Sequence, residues 1–194
     1  MKANSIATLL QLFHFFEKID SLAGKSLDSG QKIDAQFKAS LTSVITKTAE
    51  CIYEFENENI VSWGQDTTQL LDRVGSGTVS IEEIKSWIMT GKNLLGLLLG
   101  ECIVKGAPIR SEEAETILHI FETNPLREEV KAKGFFALSE LYQTFDPKKS
   151  YEYGQKAFQA YRKLGSILGG NYDYDESRLR DIIAERCPIC GSEE

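Results

Sequence analysis

Histidine is almost missing from this chain: there are two in 194 residues, His14 and His119, and each stands inside an apolar stretch. A Ser-His or Cys-His nucleophile pair needs an imidazole that a reactive group can reach. Both histidines are therefore expected to be packed side chains, and chemistry of that type is set aside. Phosphate-cradling glycine motifs are also lacking. Gly91-Lys92 has Ser86, not glycine, five positions upstream and no strand before it. Gly75-Ser76-Gly77-Thr78 has no third glycine and no βαβ context. Glu82-Glu83 and Glu112-Glu113 fall in first helical turns, where carboxylates are stabilised without catalytic duty. An enzyme would need a dispersed pocket, with Tyr172, Asp173 and Asp175 as the residues to watch.

Positive charge is in deficit, with 22 Lys and Arg against 29 Asp and Glu and a formal net charge of −7. That balance disfavours non-specific nucleic-acid binding, which depends on cations displacing counterions from phosphates. No apolar run approaches the ~20 residues that cross a bilayer. The longest, Leu94 to Leu99, lies between Lys92 and Glu101 and is expected to be a buried helix. The N-terminal Leu9, Leu10, Leu12, Phe13, Phe15 and Phe16 loosely imitate a signal sequence, but Gln11, His14 and Glu17 interrupt them, so an amphipathic helix is expected. No membrane association is expected, and the cytoplasm is the expected location. Four cysteines, at 51, 102, 187 and 190, are too few and too scattered for a disulfide framework; Cys51 and Cys102 fall in helical apolar patterns as core thiols.

What is present is helix. Ile6, Leu9, Leu10, Phe13, Phe16 and Ile19 recur at three- and four-residue steps, giving a first helix over 4–22 with Gly24 as its stop. Ile33, Phe37, Leu41, Val44, Thr48, Cys51 and Phe55 form a narrow seam over 31–57 that calls for a long antiparallel neighbour. A short segment with Leu70, Leu71 and Val74 follows. Ser80-Ile81-Glu82-Glu83 has the form of a capping box and opens a helix reaching Gly106, the expected centre of the core. Ser111, followed by Glu112, Glu113 and Glu115, starts the next, to Glu122. Asn124-Pro125 and Asp146-Pro147 each place a cap residue before a first-turn proline, predicting helices over 125–145 and 147–168. After Gly169-Gly170 come an acidic aromatic loop and a last short helix through Leu179, Ile182 and Ile183. The fold class is all-α: a bundle of about seven helices over 1–168, then 169–194 as loop, short helix and cysteine-bearing tail.

Within 126–168, Phe136-Ala137-Leu138-Ser139-Glu140-Leu141-Tyr142 with Ser150, Gly154, Ala157 and Tyr161 resembles one tetratricopeptide-type helix pair. The resemblance implies that Leu138, Ser139 and Tyr142 are the first helix's signature, and that Ser150 and Ala157 are the small residues where the second helix crosses it. The turn is one residue shorter than the family pattern, and no second copy is apparent at ~34 residues, so an isolated α-hairpin is expected. Lys131, Lys133, Lys148, Lys149, Lys156, Arg162 and Lys163 make it locally basic, which reads as a solvated face.

Cys187-Pro188-Ile189-Cys190-Gly191 is the one stretch whose spacing demands chemistry beyond folding. It resembles the zinc knuckle of zinc ribbons, treble-clef fingers and zinc hooks. The resemblance implies Cys187 and Cys190 as metal ligands, with zinc as the cofactor. A closed structural site needs four protein ligands, and these two are half of one. A second copy, a protein partner, or Cys51, Cys102 or His119 of the same chain would complete it; otherwise the pair stays empty. Redox use is disfavoured, because a thioredoxin-like CxxC opens a helix after a strand. These readings converge on a non-enzymatic adaptor or interaction subunit using the half-site for dimerisation or partner docking. The alternatives are a nucleic-acid-associated factor acting through the basic 127–163 hairpin, or a bare helical scaffold.

Overall fold

In the computed structural model the described residues are 5–28, 35–52, 58–143 and 145–168. They form seven α-helices: α1 Ser5–Asp28, α2 Ala35–Ile52, α3 Glu58–Ser76, α4 Ile81–Val104, α5 Ser111–Thr123, α6 Glu128–Tyr142 and α7 Pro147–Leu168. There is no strand among the described residues, and the all-α reading of the 3.6-residue period is what the molecule shows. The helix anticipated through Leu179, Ile182 and Ile183, the aromatic loop before it, and the cysteine pair lie outside the described residues.

Several boundaries differ from the sequence reading, each for a local reason. Helix α1 continues through Gly24 to Asp28; glycine weakens a helix without ending it unless the backbone turns left-handed there. Helix α3 is a full 19 residues, not a short segment. Its buried positions Trp63, Thr67, Leu70 and Val74 keep helical spacing, but the turn 66–69 presents two threonines and polar neighbours in place of an apolar stripe. Asn124 closes α5, its backbone amide donating to the Ile120 carbonyl at 3.2 Å and its side-chain amide at 3.3 Å. Pro125 therefore precedes α6, which starts at Glu128 behind Arg127. The same device at Asp146-Pro147 does open a helix, with Asp146 Oδ1 accepting from the Lys149 amide at 3.1 Å. Ser111 is the first residue of α5, the start the sequence indicates, with Arg110 as its cap. The capping box at Ser80 forms: the Ser80 amide donates to Glu83 Oε2 at 2.9 Å and the Glu83 amide to Ser80 Oγ at 3.2 Å.

The chain divides into two compact units, Thr8–Leu95 and Gly96–Glu194 with Met1–Ala7, the boundary falling inside α4. In Thr8–Leu95, α1 buries Leu9, Leu12, Phe13, Phe16, Ile19 and Ala23. The α2 seam finds its neighbour in α3, and Lys38 Nζ near the start of α2 donates to the Gly75 carbonyl near the end of α3 at 2.9 Å, as antiparallel helices require. At the centre Phe16, Trp63 and Trp87 meet with ring centroids 5.7, 4.9 and 5.5 Å apart, the two indoles stacked at 22°. Trp87 Nε1 donates to Thr67 Oγ1 at 3.0 Å, and that hydroxyl donates to the Trp63 carbonyl at 2.7 Å. Thr67 thus satisfies a buried indole that would otherwise cost free energy to dehydrate. Gly91 is the reason these rings can lie against α4: a Cβ there would collide with Trp63 and with Phe16.

In the unit from Gly96 onward, α6 and α7 pack along their length. Ser150 Oγ near the start of α7 donates to the Ser139 carbonyl near the end of α6 at 2.7 Å, while Lys163 Nζ reaches Glu128 Oε2 at the far end at 3.4 Å. The hairpin is therefore antiparallel. Ala132, Phe136, Ala157, Tyr161 and Leu164 form its own apolar cluster. The end of α4 lies beside α6, where Val130 fills the space at Gly96, and the Lys133 carbonyl and Ala137 Cβ lie 3.7 and 3.9 Å from where a Cβ at Gly100 would stand. The Phe121 ring occupies the space at Gly134.

Helix α4 is long and apolar enough to cross a membrane, with a mean hydropathy of 1.3 over its best window, but 67% of that window is buried inside the protein. It has the character of a core helix.

Substitution of Gly91 or Gly134 by Leu should therefore lower unfolding stability by about 3 kcal/mol or more, since ring or backbone must move. Gly24, with nothing within 4 Å of an added Cβ, should respond in the opposite direction, gaining about 0.5–1 kcal/mol as Ala. Urea unfolding followed by tryptophan fluorescence and circular dichroism checks both signs.

Candidate functional site

Neither Cys187 nor Cys190 is among the described residues. Of the side chains considered as their companions, Cys51 lies in α2 with its side chain outside the described set. Cys102 is buried on α4, and loss of water, aided by the charge of Glu101, pushes its thiol pKa up. That environment opposes the thiolate a metal requires. His119 is exposed, contrary to the packed position expected of it: its Nε2 lies 3.4 Å from Thr123 Oγ1, whose hydroxyl donates to the His119 carbonyl at 2.8 Å. His14 is exposed too, sharing a solvent stripe of α1 with Gln11, Lys18 and Ser21. Apolar neighbours in sequence misplace both, because adjacent residues on a helix point about 100° apart. Among the described residues no group of three or more His, Cys, Asp or Glu side chains is arranged to hold a metal ion.

The polar chemistry of the unit from Gly96 onward gathers where α5 faces α7. Glu122 Oε1 accepts from Tyr153 OH at 2.8 Å and from Lys156 Nζ at 2.9 Å. Lys156, then the Tyr153 hydroxyl, hold the Glu122 carboxyl below its usual range, while burial and the bond to Glu122 push the Tyr153 phenol well up. An ionised carboxylate facing a neutral phenol is a brace and not a poised proton donor. One turn pair earlier, Lys149 Nζ lies 3.7 Å from Glu115 and 4.9 Å from the centroid of Tyr142. Lys156 likewise stands 4.6 Å over Tyr153, and Tyr142 and Tyr153 stack at 6.0 Å. Cations over aromatic faces and beside carboxylates form a laced seam between helices.

That seam has a register the residues do not advertise. Lys156 and Glu122 are 34 positions apart, and so are Lys149 and Glu115 (149 − 115 = 34). Because both contacts advance together, α5 and α7 run parallel. Val130 against Gly96 repeats the same offset between α6 and the end of α4 (130 − 96 = 34). The hairpin of α6 and α7 thus has a predecessor in the end of α4 with α5, displaced by one 34-residue step, although no residue repeat shows it. The available signal was the seven-residue spacing shared by Glu115 and Glu122 on one helix and Lys149 and Lys156 on the other.

Two further ion pairs are structural. Lys92 is buried in the unit Thr8–Leu95, with Nζ 2.9 Å from Asp20 Oδ2, so Gly91-Lys92 is a helix interior as the sequence suggested. Glu113 accepts from the Arg110 amide at 2.9 Å and its guanidinium at 2.6 Å; the guanidinium, most of all, lowers its pKa.

No protein-family profile, curated protein or solved structure matches the chain.

Glu113 and Glu122 are held below the ordinary 4.5 of a free glutamate, so each contributes stability that is complete above the unfolded value and is lost as pH falls through its folded value. The urea midpoint should decline on acidification below about pH 5. The decline should be shallower in Glu113→Gln/Glu122→Gln, which has little left to lose; equal slopes would contradict the assignment. Removing the carboxylate, in Asp20→Ala, should cost about 1–3 kcal/mol by stranding the buried Lys92 ammonium, whereas Lys92→Met, which leaves only the more exposed Asp20 carboxylate, should be close to neutral.

Proposed function

We propose that the chain is a non-enzymatic interaction or adaptor subunit, an all-α scaffold that carries a zinc half-site, Cys187 and Cys190, for dimerisation or for docking a protein partner. The observation that carries this reading is the pattern Cys187-Pro188-Ile189-Cys190-Gly191. Two thiolates three positions apart match the spacing with which one chain segment grips zinc. Pro188 fixes a backbone angle in the turn, and Gly191 can take the positive φ that aims amides at sulfur. Zinc, when bound, supplies a tetrahedral node whose four places two cysteines fill only by half. A buried, pKa-raised Cys102 and an exposed His119 bonded within its own helix are poor sources for the rest, which favours a second chain as donor. Reduced thiols suit the cytoplasm, the location this reading assigns.

Nucleic-acid binding by the basic hairpin is the less favoured reading. Lys149, Lys156 and Lys163 are engaged by Glu115, Glu122 and Glu128, so much of the local positive charge is answered within the protein.

Native mass and metal content measured together test the proposal. The expected result is one zinc per two chains, or per heteromeric pair, with metal and association both lost in Cys187→Ser. A metal-free chain whose mass is unaltered by that substitution, in reducing buffer with zinc supplied, would overturn it.

A further inference from the structure

Two polar side chains deep in the unit Thr8–Leu95 have no hydrogen-bond partner. Trp63 is 3% exposed and Thr48 0%, and neither the Trp63 Nε1 donor nor the Thr48 Oγ1 hydroxyl is bonded. A buried donor left alone is costly, so such groups are almost always paired with protein or with ordered water. Thr48 has moreover declined the simplest pairing. Thr67, Thr68, Thr90, Thr116 and Thr123 each donate to the carbonyl four residues earlier, at 2.7 to 3.1 Å. The same bond, to the Val44 carbonyl, is open to Thr48 within α2 and is not made. Its hydroxyl is therefore turned off its own helix.

Both groups lie in one layer. Lys47 Nζ stands 4.8 Å over the Phe15 ring, which sets the level of α2 against α1, and Phe16, the next residue, meets Trp63 at 5.7 Å. The antiparallel tie from Lys38 to Gly75 gives the same level from the other end. Thr48 is ten residues along α2 from Lys38 (48 − 38 = 10), about 15 Å, and Trp63 is twelve back along α3 from Gly75 (75 − 63 = 12), about 18 Å. The difference is less than one helical turn. Helices α2 and α3 are packing neighbours, and each group is on the buried side of its helix. Two hydrogen-bonding groups at one level that do not touch call for a bridge between them.

We infer that a single water molecule is bound between α2 and α3 at this level, accepting from Trp63 Nε1 and hydrogen-bonded to Thr48 Oγ1. The chemistry of the two groups selects the occupant. An indole N–H only donates, so the bridge must accept there, and a hydroxyl takes either role. Water meets both demands in the least volume. A charged guest finds no counter-charge, because the buried Lys92 ammonium is taken by Asp20. A bulkier one is opposed by the rings of Phe16, Trp63 and Trp87, packed at 4.9 to 5.7 Å between centroids. The water completes a polar thread through the aromatic centre. Trp87 on α4 donates to Thr67 on α3, Thr67 donates to the Trp63 carbonyl, and Trp63 reaches Thr48 on α2 through the water. The site belongs to this unit and stands whether or not Cys187 and Cys190 take zinc.

Cross-relaxation between water and the indole protons of the nitrogen-labelled full chain tests it. The chain has two tryptophans and so two indole N–H signals, told apart by Trp63→Phe. Trp63 should show a strong peak from a long-lived water, whereas Trp87, whose proton is held by Thr67 Oγ1, should show a weak one or none. Thr48→Ser, which keeps the hydroxyl, should retain the Trp63 peak, and Thr48→Val should lose it. The sign of the Thr48→Val stability change gives a second reading. Removing a hydroxyl that holds a water strands the indole N–H and should raise the unfolding equilibrium constant about tenfold, read from urea unfolding. Removing a hydroxyl that holds nothing should lower that constant, and a more stable Thr48→Val variant would overturn the inference. So would the lack of a water peak at Trp63, or a molecule other than water that native mass spectrometry finds on the natural chain and not on Thr48→Val.

Discussion

Helices approach one another as closely as their bulkiest facing atoms allow, and among the described residues two of the tightest glycine sites are places where an aromatic ring lies on a helix that has no Cβ to offer. Phe121 lies on α6 at Gly134, and Trp63 with Phe16 lies on α4 at Gly91. Each glycine sits inside a helix, where it costs about 1 kcal/mol against alanine. The return is contact between a flat ring and bare backbone, which buries large apolar areas at native packing density. The positions of the other side chains follow from it. With the rings of Trp63 and Trp87 fixed, Thr67 has one useful place to stand, and its hydroxyl links the Trp87 indole to the Trp63 carbonyl. With Phe121 fixed against Gly134, Glu122 is turned toward Tyr153 and Lys156.

Polar groups then select among the packings that apolar contact permits. A slip of one residue along a helix rotates every side chain by about 100°, and a shift of α7 against α5 by one position would take Lys149 from Glu115 and Lys156 from Glu122 together. The individual pairs are half-exposed and worth little as isolated salt bridges. Their value lies in spacing: two pairs seven residues apart accept one register and penalise its neighbours. The aromatic faces beneath the ammonium groups add to the selection, because Lys156 stacks over Tyr153 only where Tyr153 also reaches Glu122. The buried ammonium of Lys92 does the same within the other unit, tying α4 to Asp20 at a point where any other register would leave a charge without a partner.

Features encoded within one helical turn were legible in the sequence, and features that depend on a partner helix were not. The capping box at Ser80 and the Asp146-Pro147 start announce themselves because donor and acceptor are three positions apart. Asn124-Pro125 has the same letters and the opposite role, since Asn124 spends its amides on the Ile120 carbonyl behind it. Nothing local distinguishes the two cases. His14 and His119 have apolar neighbours in the chain, the signal for a core position, yet each is exposed on its helix. Helix α3 shows an apolar pattern only in its last turns, because the buried position before them is held by Thr67, whose hydroxyl accepts from the Trp87 indole. At the candidate site, the cysteine spacing is a local signal and could be read directly. The remaining donors are not sequence neighbours, so no reading of the chain alone could supply them.

The 34-residue register shows why a structural repeat can exist without a sequence repeat. The step is set by the summed length of two helices and two turns, and any residues that keep those lengths keep the step. What fills the contacts is free to differ: Gly96 against Val130 in one place, Glu122 against Lys156 in the next. Helices α5 and α7 even differ in length, 13 residues against 22, the excess lying beyond the shared contacts. A search for matching residues therefore sees only the α6–α7 pair, whose small residues at Ser139, Ser150 and Ala157 mark the crossing. In a stack of such pairs each hairpin buries one face on its predecessor and must bury the other on its successor.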